Sequence, residues 1–339
     1  MPRRSRASML VMAAVMALTS AVIAAASSRS AVKVPGASVS EAEVALGRRL
    51  FFDPVLSSNG QVSCATCHRP DRGFGDGLPV STGVSGVRLK RHTPHLFNLA
   101  WSRTLFWDGR ATSLEQQALE PIRNPDEMGL PGDAAADKLR AIPSYLDAFA
   151  EVYPKSGVTM KNLARALAAF ERTLVSNDSA FDRFEAGDTT AMSERALAGR
   201  ELFFGRAKCS TCHSGPQFTD GLFHNTGVLS NDQGRAAFDR VGEFQMRPYP
   251  FFQMRQAFKT PGLRNVALTA PYQHDGSEET LEKVVRFYNA GGRDPRSYGK
   301  ALDIKPLGLT EAQIADLVQF LEALTSPLPP DPSQTARAF

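Results

Sequence analysis

Cys64-Ala65-Thr66-Cys67-His68 and Cys209-Ser210-Thr211-Cys212-His213 share one Cys-x-x-Cys-His pattern, and a matching stretch precedes each: Gly47-Arg48-Arg49-Leu50-Phe51-Phe52 before the first, Gly199-Arg200-Glu201-Leu202-Phe203-Phe204 before the second. The match continues downstream. Thr93-Pro94, Asn98 and Asp108-Gly109 recur as Thr260-Pro261, Asn265 and Asp275-Gly276, every pair 167 positions apart, and Leu114-Glu115 recurs as Leu281-Glu282 at the same offset. A constant offset over a long ungapped stretch reads as two copies of one domain, each packed around its own cofactor.

The pattern itself names the cofactor. Two thiols at this spacing can bond the vinyl groups of a haem while the next residue, His, reaches the iron from one face. A lone run could equally be half of a zinc site. Here the run is duplicated, and all four cysteines of the chain lie in the two runs, so none is left for a structural disulfide. Cys64, Cys67 and His68 are therefore expected to hold one haem c covalently, and Cys209, Cys212 and His213 a second.

Length and composition agree with this reading. A chain of 339 residues, 42% hydrophobic and 22% charged, suits two globular domains. Its first residues read differently: Pro2-Arg3-Arg4-Ser5-Arg6 is basic, Met9 to Ala26 is apolar, and Ala24-Ala25-Ala26 suits signal cleavage. Residues 1–26 are expected to be a signal peptide, with export to the periplasm and no membrane span after cleavage. The rival is an uncleaved anchor. The 39 basic residues against 35 acidic ones include Arg3, Arg4 and Arg6, so the exported chain is nearly balanced and carries no nucleic-acid signature.

Met160 to Leu174 and Thr310 to Leu324 carry apolar residues at helical spacing. Gly and Pro gather in intervening segments such as Gly73 to Gly86 and Arg247 to Pro250, and alternating strand patterns are scarce. The fold class expected is mainly α: two duplicated c-type cytochrome domains with long loops, over residues 27–190 and 191–339, their haems facing a shared interface.

The repeat also predicts the far face of each iron. The position 167 beyond Pro121 is Tyr288. A phenolate can bind iron, whereas Pro has no donor atom. The second haem is thus expected to be six-coordinate, with His213 and Tyr288, and the first open opposite His68. The alternative is that Tyr288 is a core aromatic.

Together these residues resemble the bacterial di-haem cytochrome c peroxidases and, more closely, their MauG-type branch, which oxidises a partner protein. The resemblance runs from about Ala45 to about Leu324 and rests on the haem runs, Phe106-Trp107-Asp108-Gly109-Arg110, Glu127-Met128-Gly129, Leu263-Arg264-Asn265 and His274-Asp275-Gly276. It implies that Trp107 relays electrons between the haems and that Gln117 and Glu127 assist peroxide cleavage beside the open iron, the carboxylate moving a proton between oxygens. It also implies a calcium between the domains, held by the carbonyls of Thr269 and Pro271 and by an Asn side chain. That Asn position falls on His92, and imidazole is a poor calcium ligand. His92 and His95 can instead serve haem propionates, while His224 and His274 read as structural.

Two departures point to the MauG-type branch. The loop Gly75 to Arg91 lacks the His that blocks the first iron in standard peroxidases, and Tyr288 stands where they use Met. A phenolate favours high-valent iron, a thioether reduced iron. The expected function is a periplasmic di-haem enzyme that uses hydrogen peroxide to form a high-valent di-haem state and oxidises Trp or Tyr residues of a partner protein. The alternatives are a peroxidase fed by a small cytochrome c or cupredoxin, and a non-enzymatic di-haem electron carrier.

Overall fold

The computed structural model describes residues 34–35, 39–238, 254–293 and 300–328; the expected signal peptide and the Arg247–Pro250 segment lie outside them. In chain order the described residues contain α1 (Glu41–Phe52), α2 (Cys64–Cys67), α3 (Leu114–Arg123), α4 (Ala134–Arg140), α5 (Pro143–Val152), α6 (Met160–Glu171), α7 (Ala180–Glu185), α8 (Glu194–Phe204), β1 (Phe223–His224), β2 (Phe258–Lys259), α9 (Leu281–Asn289) and α10 (Glu311–Glu322). The strands pair antiparallel, Phe223 opposite Lys259. The class is mainly α with long loops, as expected.

Each repeat is organised by one pair of long helices, α1 with α6 and α8 with α10. Their ends are set by side-chain caps: Ser40, Thr159, Ser193 and Thr310 each accept a bond from the backbone N–H three residues on. Their crossing is set by glycine. A Cβ on Gly47 would lie 1.8 Å from the Ala166 carbonyl oxygen, and one on Gly199 would lie 1.9 Å from that of Asp316. This contact lets the following aromatics interlock: Phe51 meets Phe170 and Phe203 meets Phe320, both with ring centroids 5.0 Å apart. These rings sit in two separate hydrophobic cores, one from Leu46 to Leu174 and one from Met192 to Leu324.

The shorter helices repeat the pattern. The caps Ser113 of α3 and Thr280 of α9 stand at the 167 offset, and each accepts from the N–H three residues on. Asn98 and Asn265 both adopt the left-handed backbone region with φ 59°. Their N–H groups bond the carbonyls just beyond the long helices, Leu174 (2.9 Å) and Leu324 (3.1 Å). The copies differ in the spacing between motifs, most of all after the haem run. Cys64 and Cys209 are 145 apart but Thr93 and Thr260 are 167 apart, so the second copy has 22 more residues between these points; β1 lies within this longer stretch and β2 at its end, at the counterparts of Arg91 and His92.

Alanine at Gly47 or Gly199 drives a methyl into a backbone carbonyl, and overpacking of this kind costs ~1–3 kcal/mol. Thermal melts of Gly47→Ala and Gly199→Ala are expected to show both proteins destabilised by similar amounts; an unchanged melting temperature would refute the crossing argument.

Candidate haem and peroxide site

The turn that follows each Cys-x-x-Cys segment presents a histidine with its hydrogen-bonding settled. His68 N–H bonds the Cys64 carbonyl (2.8 Å) and His213 N–H that of Cys209 (2.9 Å). His68 Nδ1 then lies 2.9 Å from the Phe74 carbonyl oxygen and His213 Nδ1 lies 3.0 Å from that of Phe218. A carbonyl only accepts, so Nδ1 carries the hydrogen and Nε2 keeps its lone pair. Both carbonyls are aimed by a left-handed backbone, φ 61° at Phe74 and 53° at Phe218. Burial, the largest cause, holds both imidazoles below their ordinary pKa and hence neutral. A neutral ring with its second nitrogen tied to a carbonyl is the usual state of an iron- or zinc-binding histidine.

The thiols are also suited to haem rather than to thiol exchange. Burial pushes Cys64 and Cys209 up to about 12, and raises Cys67 as well. Reactive cysteines need the thiolate, which these environments oppose. A cavity of about 990 Å³ opens beside Cys64, Cys67 and His68, at the upper end of cofactor-sized cavities. Two thiols one turn apart, an imidazole with a free Nε2 and a cavity of this size fit a haem. The second set offers the same donors.

Pro121 and Tyr288 stand at the same step of α3 and α9. Pro121 lines the cavity together with Gln117 and Glu127. Burial raises the Glu127 carboxyl above the ordinary range, partly opposed by a 2.8 Å bond from Asn124 Nδ2. The Gly75–Arg91 loop closes on this segment: Val84 N–H bonds the Glu127 carbonyl (2.9 Å), and a Cβ on Gly83 would meet the Asp126 carbonyl oxygen at 1.9 Å. Tyr288 has its phenol raised by burial, opposed by a bond with Gln273, with Cys212 and Cys209 close enough to raise it further. It therefore lies near the second haem run.

Trp107 lines the same cavity. Its indole Nε1–H donates to the His92 carbonyl (2.8 Å), and its own carbonyl accepts from Lys259 N–H (2.7 Å). The repeat mate of Trp107 is His274, and that of His92 is Lys259. His92 N–H bonds the His274 carbonyl (2.8 Å), so the two repeats exchange equivalent backbone bonds at this point. His95 Nε2 lies 3.2 Å from the carbonyl oxygen of Gly262, its own repeat mate, and His95 Nδ1 accepts from Phe97 N–H (3.2 Å). Both nitrogens of His95 are thus used by backbone, which differs from the expected propionate contact. His92 Nδ1 bonds the Leu78 carbonyl (2.9 Å) and keeps Nε2.

The remaining expected residues fall as follows. Thr269 is buried, its hydroxyl donating to the Val266 carbonyl (3.0 Å), two residues before Pro271. His274 is 3% exposed and stacks on Phe258 with centroids 3.6 Å apart, while His224 bonds Asp220 at 2.8 Å. Cys212, Asp220 and His224 bring three ligand-type atoms within 4.8 Å of one another.

Sequence reasoning missed two features. Lys259 lines the cavity, and burial pulls its ammonium down to about 8; the offset from His92 marks its position. Arg91 joins Asp232 (2.6 Å) and Asp108, whose side chain also bonds Arg110 (3.0 Å). Arg235 donates to the carbonyls of Asp108 (2.9 Å) and Gly109 (3.1 Å). This network anchors the Trp107 segment to the long insertion, and no local motif announces it.

Fold and site together define a duplicated c-type haem protein with one cavity beside its first haem run. The comparisons with known proteins agree. Residues 41–190 match the di-haem cytochrome c peroxidase family. The chain is 44% identical over 284 residues to the methylamine utilization protein MauG of Methylorubrum extorquens, covering 83% of this chain and 78% of that one. It is 37% identical over 261 residues to the cytochrome c551 peroxidase of Pseudomonas aeruginosa (74% and 72%). The crystal structure of a MauG-like protein associated with microbial copper homeostasis superposes with TM-score 0.75 at 34% identity, over 88% of this chain and 92% of that one. The chain belongs to the di-haem cytochrome c peroxidase and MauG family, with haem as its cofactor, and is an oxidoreductase.

Asp108 is 1% exposed, and removing one partner of a buried ion pair costs several kcal/mol. Arg110 still faces Asp108 after Arg91→Ala, so a loss of ~3 kcal/mol is expected in chemical denaturation. A loss below ~1 kcal/mol would put the anchoring of the Trp107 segment elsewhere.

Proposed function

We propose that this protein reacts with hydrogen peroxide at an open first haem, held by Cys64, Cys67 and His68, and uses the oxidising equivalents to oxidise Trp or Tyr side chains of a partner protein. The observation that carries the proposal is the pairing of Pro121 with Tyr288: at one step of equivalent helices the first site has no donor atom, and the second has a phenol. The haem irons, when bound, supply the peroxide-binding centre and the store of oxidising equivalents. Everything else is the work of side chains.

His68 and His213 would bind iron through Nε2, each oriented by its carbonyl partner. Glu127, raised by burial, would take the proton from peroxide and return it to the departing oxygen, with Gln117 beside it in the cavity. Tyr288 would release its proton only to a strong Lewis acid, since burial alone opposes ionisation. Trp107, held at both its indole N–H and its carbonyl, would couple the two sites. A calcium on the Thr269 and Pro271 carbonyls would lack the Asn oxygen of the family pattern, because that position is His92, with one ring nitrogen engaged by the Leu78 carbonyl.

The same reading places the division between haem domains at 190/191 and takes residues 1–26 as a periplasmic signal peptide. Identity to a cytochrome c551 peroxidase supports a second reading, in which a small cytochrome c or cupredoxin supplies electrons and peroxide is reduced to water.

Glu127→Gln is expected to lower the rate constant for peroxide consumption by ~10²–10⁴. In the parent protein that rate should fall as pH drops through the raised pKa of Glu127, because the base is then protonated; an unaltered rate and profile in the variant would remove Glu127 from the mechanism. Trp107→Phe should slow electron exchange between the haems and leave both ferric spectra unchanged. Peroxide added to the ferric protein separates the readings. A long-lived oxidised species at both haems supports the first, and rapid turnover with a reduced small cytochrome supports the second.

A further inference from the structure

Glu171 is the last residue of α6, 6% exposed, and it lines the cavity beside Cys64. Its Oε2 is buried with no hydrogen-bond partner, and a buried carboxylate without partners is costly. The adjacent Arg172 does not relieve it, because that guanidinium is paired with Glu115 at 2.7 Å. Burial pushes the carboxyl up to about 8, with Glu115 adding to the rise and Arg172 opposing it.

The duplication shows that the fold does not require an acid there. Ala166 and Asp316 meet Gly47 and Gly199, Phe170 and Phe320 meet Phe51 and Phe203, and Leu174 and Leu324 accept from Asn98 and Asn265. All three pairs are 150 positions apart, and the same register sets Glu171 opposite Leu321, a core residue 7% exposed. An acid with an unused oxygen thus stands at the first site, where the second copy has a hydrocarbon.

We propose that Glu171 is a proton-carrying positioning residue of the first haem site, absent from the second: one electron delivered to the first haem is matched by one proton taken from solvent onto the Glu171 carboxylate, and one electron withdrawn by one proton released. This rests on the two-haem reading above. On α3, Glu115 faces Glu171 closely enough to raise it, and several other charged groups on the elements packed against α6 have partners of their own. On α1, Glu43 pairs with Arg165 (3.3 Å) and Arg49 bonds Ser144 (2.8 Å). On α3, Glu120 pairs with Arg110 (2.5 Å), and on α4 Arg140 pairs with Asp137 (2.5 Å) and bonds the Val158 carbonyl beyond the opposite end of α6. On α2, Cys64, whose thiol is raised by burial and by Glu171 before attachment, becomes an uncharged thioether in the haem-loaded protein.

The test is potentiometric titration of the haem-loaded protein, parent, Glu171→Gln and Glu171→Leu, at pH values on both sides of 8. Glutamine keeps the shape, and leucine is the side chain that the second copy carries. Above about pH 8, where Glu171 is ionised before reduction, the midpoint of the first haem in the parent is expected to fall with pH by up to roughly 59 mV per unit, one proton per electron, and this slope should flatten in both variants while that of the second haem stays the same. Slopes equal to the parent's in both variants would overturn the proposal. If neither variant holds haem, the reduced-minus-oxidised infrared spectra of the parent and of Glu127→Gln decide: a gained protonated-carboxyl band that persists in Glu127→Gln supports Glu171, and a band absent from either spectrum refutes it. A parent protein that lacks haem mass at Cys64 and Cys67 overturns both this proposal and the two-haem reading, whereas a loaded parent with a pH-independent first midpoint overturns only this one.

Discussion

Two equivalent backbone hydrogen bonds, Lys259 N–H to the Trp107 carbonyl and His92 N–H to the His274 carbonyl, join the repeats at the point where the chemistry is concentrated. Each bond links a residue of one copy to a residue of the other, and exchange of repeat mates turns one bond into the other. Contacts between repeat mates themselves, His95 with Gly262 and Ser176 with Ser326 (2.9 Å), mark further points on the same pseudo-two-fold relation. Because backbone groups make the central pair, the side chains at these four positions are free to differ. Trp107 faces His274 in the repeat pattern and His92 faces Lys259, with no change in how the halves join.

That freedom explains what could be read from the chain and what could not. The haem runs and the Pro121/Tyr288 pair are legible because each obeys a spacing imposed by local geometry, one turn of chain and one helical step; the repeated Gly47 and Gly199 are visible in the chain, but the helix crossing they set is not. His95 was less legible. Its sequence context gives an ordinary polar side chain next to a proline, and only the approach of Gly262 shows that both ring nitrogens are already used. Arg91 and Asp232 are separated by 141 positions, in a part of the second copy with no counterpart in the first, so the repeat gives no register from which to infer the pair. Lys259 lies between these cases, since its place follows from the offset but its burial does not.

The energetics of the two copies point the same way. Both histidines are held neutral by burial, against the carbonyl bond that raises them, and Cys64 and Cys209 are held protonated by burial as well. What attaches a haem is therefore shared. What would set its reactivity is not: Pro121 against Tyr288, the Gln117 and Glu127 pair at the first cavity, and Glu171 against Leu321 all separate the sites by single side chains on equivalent backbone. A duplicated scaffold supplies two sites of equal attachment chemistry, and a few substitutions at fixed steps suffice to divide their labour.

The polarity of those substitutions has a direction. The first site has acids with raised pKa values, and Pro121 stands where the second has a buried phenol; the second has leucine where the first has Glu171. Peroxide cleavage needs protons delivered to oxygen at a reachable iron, so a site that performs it requires an open face and weak acids close by. A site that only stores or passes electrons is better closed and dry, because each buried ionisable group there would couple its potential to pH. The two halves of this chain differ in that sense at the positions where they differ most, and this is why the open, proton-rich site is assigned to the first repeat.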